Sequence, residues 1–336
     1  MKKQYLVTGG TGLVGSHMLI LLTEKNISPV AIYRTKEKLE KVKNLFRLYD
    51  KGPLFSKIHW IPCDVTDRAC LEDIIKETGV IFHAAAKVSF LPRHRKEMFN
   101  TNILGTENMV NLALEHQVSY FLHVSSIAAL GGNSKIKSEK AIWSWNVAHT
   151  GYGASKFLSE MEVWRGFQEG LKGAIINPSV IIGPGFWDSG FGKLIDRVAK
   201  EKLYFYSEGK TGYTDVRDTV QIMWLLFEKN ITEERFIINA DNKRFSEIIS
   251  MLAEFLGVKP PHYKLPEKLT RAMITPINIL STLMGKGKIL DKAAINALFE
   301  DSEYENSKIK EALNYEFIPV EDSLKFAVEM YKKDKG

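Results

Sequence analysis

Near its start the chain runs from a short apolar segment into closely spaced glycines: Tyr5-Leu6-Val7-Thr8-Gly9-Gly10-Thr11-Gly12-Leu13-Val14-Gly15. A GxxGxxG pattern that leaves a strand and opens a helix is the context of a dinucleotide-binding turn. Gly9 permits the tight turn. Gly12 has no side chain to block backbone approach to a pyrophosphate, and Gly15 lets the helix pack closely on the strand. The helix N-terminus then presents unpaired N–H groups and a positive dipole end to phosphates. A Walker loop would need Gly-Lys-Ser/Thr, but Ser16 and His17 follow Gly15, so that alternative is rejected.

The rest of the first half keeps the rhythm that such a turn demands. Strands are expected at Tyr5–Val7, Val30–Tyr33, Ile58–Ile61, Val80–His83 and Tyr120–Val124, with helices at Val14–Thr23, Lys36–Tyr49, Arg68–Lys76 and Glu97–Glu115. Alternation of this kind, with continuous apolar strands, predicts an α/β fold: a doubly wound parallel sheet covered on both faces. A long helix follows from Gly151 to about Glu169, then a strand at Ala174–Asn177 that breaks at Pro178, and one more at Ile237–Asn239. The 336 residues divide into a dinucleotide-binding domain, 1–178 plus 215–240, and a smaller, mainly helical substrate lobe, 179–214 plus 241–336.

Composition excludes several classes. The chain is 45% hydrophobic and 26% charged, a globular balance, and its net charge of +6 is a mild excess for this length, with charges that alternate in sign and no long basic stripe, so nucleic acid is not expected as a partner. Cys63 and Cys70 form no CxxC pair and the histidines are scattered, so neither a disulfide nor a metal site is expected, and a cytoplasmic setting is the default. Met1-Lys2-Lys3-Gln4 and the strand after it lack the apolar length of a signal peptide. The uncharged stretch Ala272–Gly285 is too short to span a bilayer and contains Pro276. It reads as a lobe helix over the substrate pocket; the alternative is a membrane-surface helix, since Lys264, Lys268, Arg271, Lys286 and Lys288 flank it.

An NAD enzyme usually places Asp or Glu at the tip of the second strand, on the ribose 2′-OH. Here that strand ends Ala31-Ile32-Tyr33-Arg34-Thr35-Lys36. A carboxylate would repel a 2′-phosphate, whereas the Arg34 guanidinium can pair with it in a bidentate way. NADP(H) is therefore favoured, with NAD(H) left open.

Tyr152-Gly153-Ala154-Ser155-Lys156 puts a Tyr and a Lys one helical turn apart on one face, downstream of His123-Val124-Ser125-Ser126. Carbonyl reduction needs a proton as well as a hydride. A phenol with a pKa near ~10 exchanges protons poorly at neutral pH. An ammonium ~4 Å away, at an effective dielectric of ~20, lowers that pKa by roughly three units. Ser126 can donate a hydrogen bond to the substrate oxygen. The expected catalytic set is Ser126, Tyr152 and Lys156.

These ordered motifs resemble the extended short-chain dehydrogenase/reductase family, within the NAD-dependent epimerase/dehydratase superfamily. The nearest likeness is its dihydroflavonol-reductase-like and 3β-hydroxysteroid-dehydrogenase-like branch. The likeness covers nearly the whole chain and implies a Rossmann fold. Thr8 to Gly15 matches TGGTGxxG, which implies that Thr11, Leu13 and Val14 join Gly9, Gly12 and Gly15 at the cofactor. Cys63-Asp64-Val65-Thr66-Asp67 matches the family's strand-end acid, implying that Asp64 meets the adenine and Val65 flanks it. His83-Ala84-Ala85-Ala86 matches the segment beside the cofactor, and Asn102 to Thr106 the NxxGT helix. Asn177-Pro178-Ser179-Val180-Ile181 resembles the segment under the nicotinamide carboxamide, which brings in Pro178 and Ile181. Asn306-Ser307-Lys308 and Leu313-Asn314-Tyr315 resemble the SK…LGY ending, with Asn314 in place of the usual Gly.

Departures narrow the function. Ile127 and Ala128 stand where 4,6-dehydratases carry an acidic pair, and Leu130-Gly131 where epimerases often show Tyr-Gly. The expected activity is an NADP(H)-dependent transfer of hydride between nicotinamide and a carbonyl or secondary alcohol of a small, hydrophobic substrate. Val88-Ser89-Phe90, Phe186-Trp187 and the C-terminal lobe are expected to form its pocket. A nucleotide-sugar epimerase and a non-catalytic NADP-binding regulatory protein are the alternatives. A homodimer pairing the helices Glu97–Glu115 and Tyr152–Glu169 is compatible with the pattern.

Overall fold

The computed structural model describes residues 4–132, 134–147, 149–284, 288 and 291–336; Met1–Lys3, Gly285 and Lys286 lie outside them. A seven-stranded sheet, parallel throughout, runs in the order His59–Pro62, Val30–Tyr33, Gln4–Thr8, Thr78–His83, Tyr120–Val124, Gly173–Pro178, Glu234–Ile238. The chain reverses direction across the sheet between Gln4–Thr8 and Thr78–His83, the switch point at which such sheets bind ligands.

Strand alternation explains why these runs are apolar end to end. Val7, Phe82, Leu122 and Ile176 face one side and join the core beneath the helices Leu13–Glu24 and Val216–Glu228. Their neighbours Leu6, Ile81, Phe121 and Ile175 face the other, toward Arg68–Ile75, Gly105–Glu115 and Gly151–Gln168. Successive side chains point to opposite faces, so a strand covered on both must be hydrophobic at every position.

The helix expected at Glu97–Glu115 is interrupted. An α-helical turn, Arg95–Phe99, passes through a π-helical turn, Asn100–Leu104, into Gly105–Glu115. Such wide turns insert a residue and re-aim side chains, and they occur often at functional sites. Asn314, standing where Gly is usual, adopts φ 51° and ψ 52° and closes the helix Ser307–Leu313.

Beyond the main sheet the pattern of the sequence was too loose to show a second, three-stranded sheet of Asp241–Arg244, Lys210–Asp215 and Val180–Ile182. Its outer layer is a separate core in which Trp187, Phe191 and Tyr213 pack on the helices Phe245–Leu256 and Val320–Lys335. Phe186 and Trp187, expected in a substrate pocket, are buried, Phe186 in the main core and Trp187 in this one. Trp187 donates its indole N–H to Asp334 Oδ2 at 2.6 Å and meets Tyr331 edge-on, so it seats the last helix instead.

The cysteines also correct the sequence reading. Asp67 N–H bonds to Asp64 O at 2.9 Å, and the Asp67 carboxylate caps the next helix at Cys70 N–H. The chain thereby doubles back, and Cys63 and Cys70 stand with Cα atoms 6.0 Å apart and form a disulfide. Spacing along the sequence could not reveal this, because the turn between them is what brings them side by side.

At the glycine turn, Gly9 has φ +68°, and a Cβ there would stand 2.5 Å from Ala84 O. A Cβ on Gly15 would stand 2.2 Å from Gly9 O, whereas one on the exposed, extended Gly12 would meet nothing closer than 3.4 Å. Gly15 is thus required by packing, and Gly12 is not. Gly12→Ala is expected to keep the wild-type melting temperature yet lose dinucleotide affinity. Gly15→Ala is expected to lose both, with a stability cost of ~1–3 kcal/mol. Thermal melts paired with nucleotide titrations check this; a Gly12→Ala protein that binds as the wild type does would remove Gly12 from the phosphate site.

Candidate active site

Six parallel strands end on one edge of the sheet, and the expected site residues stand at those ends. Gly9 to Gly15 follow Gln4–Thr8, Arg34 follows Val30–Tyr33, and Asp64 and Val65 follow His59–Pro62. Ala84 to Ala86 follow Thr78–His83, Ser126 follows Tyr120–Val124, and Pro178 closes Gly173–Pro178. The helix Leu13–Glu24 begins at Gly12 with no side-chain cap, leaving its first N–H groups to a ligand. Leu13 reaches toward Gly183, just past Ile181 and the strand Val180–Ile182. Thr11, Leu13 and Val14 are half-buried at the turn, as are Ala84 and Ala85, while Ala86 is exposed. These features fit a dinucleotide: a cradle closed to any Cβ at Gly9 and Gly15, with an uncapped helix end above it.

Arg34 Nη1 lies 3.5 Å from Asp64 Oδ2, so the two residues expected at the adenosine end do come together. Asp64 is fixed by its other oxygen, which accepts from Thr66 N–H and Thr66 Oγ1, both at 2.9 Å. Val65 is buried against Gly105, where a Cβ would stand 2.6 Å from Val65 Cγ2, and Pro178 is buried as well. What these two residues can offer a groove is backbone.

A chain of hydrogen bonds runs behind the groove. Ala85 N–H donates to the Thr8 hydroxyl at 3.2 Å, and that hydroxyl lies 2.8 Å from His83 Nδ1. His83 Nε2 lies 3.0 Å from Thr106 Oγ1, which donates to Asn102 O at 2.6 Å. The Asn102 side chain, displaced by the π-helical turn, accepts from Lys87 N–H at 2.7 Å and donates to Lys87 O and Ser155 Oγ. The NxxGT motif therefore clamps the loop after Ala86 onto the helix that carries Tyr152. Burial, and secondarily the Lys156 charge, holds His83 down to about 3, so it is neutral and can serve both hydroxyls.

The helix Gly151–Gln168 is capped by Thr150, whose Oγ1 accepts from Gly153 N–H at 2.9 Å. It brings Tyr152 beside Ser126, whose hydrogen bond opposes the rise in the phenol's pKa caused by burial. The Ser126 hydroxyl accepts from Ala128 N–H at 3.1 Å, leaving its own proton to donate. Lys156 is buried; it donates to Val124 O at 2.8 Å and lies 3.4 Å from His123 Nε2. Burial lowers it to about 8, opposed by the Glu160 carboxylate. The expected lowering of the phenol by Lys156 is absent here, because the ammonium is turned onto Val124 O and burial dominates at Tyr152.

Glu160 was missed from the sequence. It is fully buried, one turn beyond Lys156, and accepts from Arg235 Nη1 at 2.9 Å, Ser125 Oγ at 2.8 Å, Asn177 Nδ2 at 2.9 Å and Trp164 Nε1 at 3.3 Å. Asn177 also donates to Ser126 O at 3.0 Å, which ties the network to the site. The i+4 spacing from Lys156 to Glu160 was the available signal. Over the front of the site, the Phe90 ring stands 5.9 Å from Tyr152, edge to face, with Val88 exposed beside it. Gly131 is pressed against the Trp143 backbone, where a Cβ would lie 2.2 Å from Cα, and Trp143 stacks on Phe157 of the same helix.

Two other features lie elsewhere. A cavity of about 760 Å³ is lined by Lys41, Asn44, Trp187, Arg197 and Lys200, none of them a site residue. Glu72, Glu115 and His116 bring ligand-type atoms within 4.8 Å of one another at the surface, with Glu115 ion-paired to Arg68.

The chain is 27% identical over 275 residues to sterol demethylase protein B of Methylococcus capsulatus, covering 80% of this chain and 79% of that one. It is 24% identical over 337 residues to a putative dihydroflavonol 4-reductase of Synechocystis, covering 98% and 94%. The UDP-glucose 4-epimerase of Thermotoga maritima, solved with UDP-glucose, shares the fold with a TM-score of 0.79 at 22% identity, over 98% of this chain and 99% of that one. The relatives are reductases, dehydrogenases and epimerases, and the protein is an enzyme acting on CH–OH or C=O groups. Residues 5–240 match the model of the NAD dependent epimerase/dehydratase family, and the chain belongs to that family.

Proposed function

We propose that the enzyme is an NADP(H)-dependent reductase of a small hydrophobic carbonyl compound, working in either direction, with residues 179–214 and 241–336 closing over the groove. The observation that carries this reading is the Ser126–Tyr152 contact beside buried Lys156, at the strand ends that also carry the glycine turn. Phe90 against Tyr152 and the exposed Val88 favour an apolar substrate over a nucleotide sugar. So do the names of the two relatives, a sterol demethylase protein and a dihydroflavonol 4-reductase.

When bound, the nicotinamide nucleotide gives or takes the hydride. Gly9, Thr11, Gly12, Leu13, Val14 and Gly15 hold its phosphates, Arg34 and Asp64 its adenosine end, and Ala84 to Ala86, Pro178 and Ile181 its remaining length. Ser126 donates to the substrate oxygen and fixes it. Tyr152 passes its proton to that oxygen, and Lys156, once its ammonium turns from Val124 O toward the phenol, stabilises the phenolate left behind. Glu160 keeps Lys156 charged by raising a pKa that burial lowers.

Tyr152→Phe keeps the ring but removes the proton. Single-turnover rate is expected to fall ~10²–10⁴-fold with the NADPH dissociation constant unchanged. Ser126→Ala should act likewise but less, and Lys156→Met should lower rate and affinity together. Near-normal turnover by Tyr152→Phe would remove the acid/base assignment. Net NADPH consumption separates a reductase from an epimerase, which recycles its cofactor in place.

Lys156 also sets a pH limit. Its pKa in the folded protein is depressed to about 8, so its charge is present below that pH and lost as pH rises through it. The rate of carbonyl reduction is expected to fall as pH rises through about 8, and a profile flat to pH ~10, the ordinary lysine range, would contradict the role of the cation.

Arg34→Asp sets a second carboxylate against Asp64 and removes the 2′-phosphate partner. NADPH affinity is expected to drop about ten- to a hundredfold, the worth of a charge-assisted pair, with NADH improved relative to it. Equal titrations for variant and wild type would sink the NADP preference.

A further inference from the structure

The helix Glu267–Leu283 buries little of itself. Ile274 and Ser281 are its buried residues, on the face turned toward the helix Lys292–Ala297, where Arg271 bonds to Asn296 and lies over Phe299. On the opposite face Leu269, Leu280 and Leu283 are 59%, 60% and 80% exposed, with Met273 between them and Ile279 and Met284 beside them. At 3.6 residues per turn, 269, 273, 276, 280 and 283 form one stripe, and Pro276 occupies the middle position. Scattered exposed apolar residues are ordinary, but a contiguous stripe of leucine and methionine marks a contact surface.

Its surroundings say what it meets. Residues 259–292 hold seven Lys or Arg against Glu267 and Asp291, so five of the chain's six net positive charges belong to this one segment. Lys259, Lys268, Lys288 and Lys292 are exposed and form no ion pair among the described residues. Just ahead of the helix, the paired strands Phe205–Tyr206 and Tyr263–Lys264 display Tyr204, Phe205 and Tyr263 to solvent. A leucine-methionine stripe, rimmed by unpaired lysines and flanked by exposed aromatic rings, has the composition of a helix lying in the plane of an anionic bilayer. No helix among the described residues is long and apolar enough to cross a membrane, so contact at the surface is what the segment can make.

We infer that the Glu267–Leu283 face is a docking surface for an anionic lipid bilayer, with the stripe set among the acyl chains and Lys259, Lys268, Lys288 and Lys292 on the headgroups. The stripe is too uncharged for a solvated face. Its cationic rim would repel a second copy of the same face, which favours the bilayer over self-association.

Docking is independent of the reductase reading and is measured without turnover. The full-length protein is floated with vesicles of phosphatidylcholine alone and of phosphatidylcholine mixed with phosphatidylglycerol. Binding is expected to the mixed vesicles, to weaken in ~1 M salt, where charges are screened beyond ~3 Å, and to be far weaker on phosphatidylcholine alone. The double variant Leu280→Glu/Leu283→Glu is expected to reduce the bound fraction at least ~tenfold, because each carboxylate would enter hydrocarbon, with unchanged melting temperature and NADPH affinity. Lys268→Glu should weaken binding to the mixed vesicles alone. Absence of wild-type binding to either vesicle overturns the inference. So does a wild-type dimer, seen by light scattering, that the double variant makes monomeric without altering vesicle binding.

Discussion

One buried carboxylate holds the working parts in register. Glu160 takes hydrogen bonds from Arg235, Ser125, Asn177 and Trp164, which belong to the strand Glu234–Ile238, the turn after Tyr120–Val124, the strand Gly173–Pro178 and its own helix. A charge with no access to water is tolerable only when its acceptor sites are met, and removing a single partner from such a pair typically costs ~3–5 kcal/mol. The arrangement is therefore stiff. Because Lys156 lies one turn before Glu160 and Tyr152 one turn before that, fixing Glu160 fixes the rotation of the whole catalytic helix. Asn177 extends the same restraint to the Ser126 carbonyl.

The opposite wall of the site is held by backbone contact in place of charge. Gly15 lies against the Gly9 carbonyl and Gly9 against Ala84, at separations that admit no Cβ. From Ala85 the restraint passes through Thr8, His83 and Thr106 to Asn102, which reaches Lys87 and Ser155. Ser155 lies on the catalytic helix, so the two walls meet there. Between them, burial sets the electrostatics: it keeps His83 and His123 neutral and brings Lys156 down to about 8.

Much of this was legible because its causes are local. Val30–Tyr33 and Tyr120–Val124 have the boundaries expected of them, since strands covered on both faces must be apolar at every position. Asn314 closes its helix in the left-handed conformation that its place in the ending predicts. What escaped depended on pairing across the chain. The strands Val180–Ile182, Lys210–Asp215 and Asp241–Arg244 are short, and only their mutual register defines them. Phe186 and Trp187 look like pocket walls in a glycine-rich loop, but the main core encloses Phe186, and a core shared with the last helix encloses Trp187. Cys63 and Cys70 become neighbours only through the turn at Asp64–Asp67.

The sequence by itself determined the parallel sheet, the glycine turn and the order of Ser126, Tyr152 and Lys156, because each follows from periodicity or from spacing within one element. Tertiary structure decided where the Lys156 charge points, which side chains neutralise Glu160 and which face of Glu267–Leu283 is left to solvent. Those outcomes depend on burial and on partners from distant strands, and neither quantity is a property of any local stretch of residues.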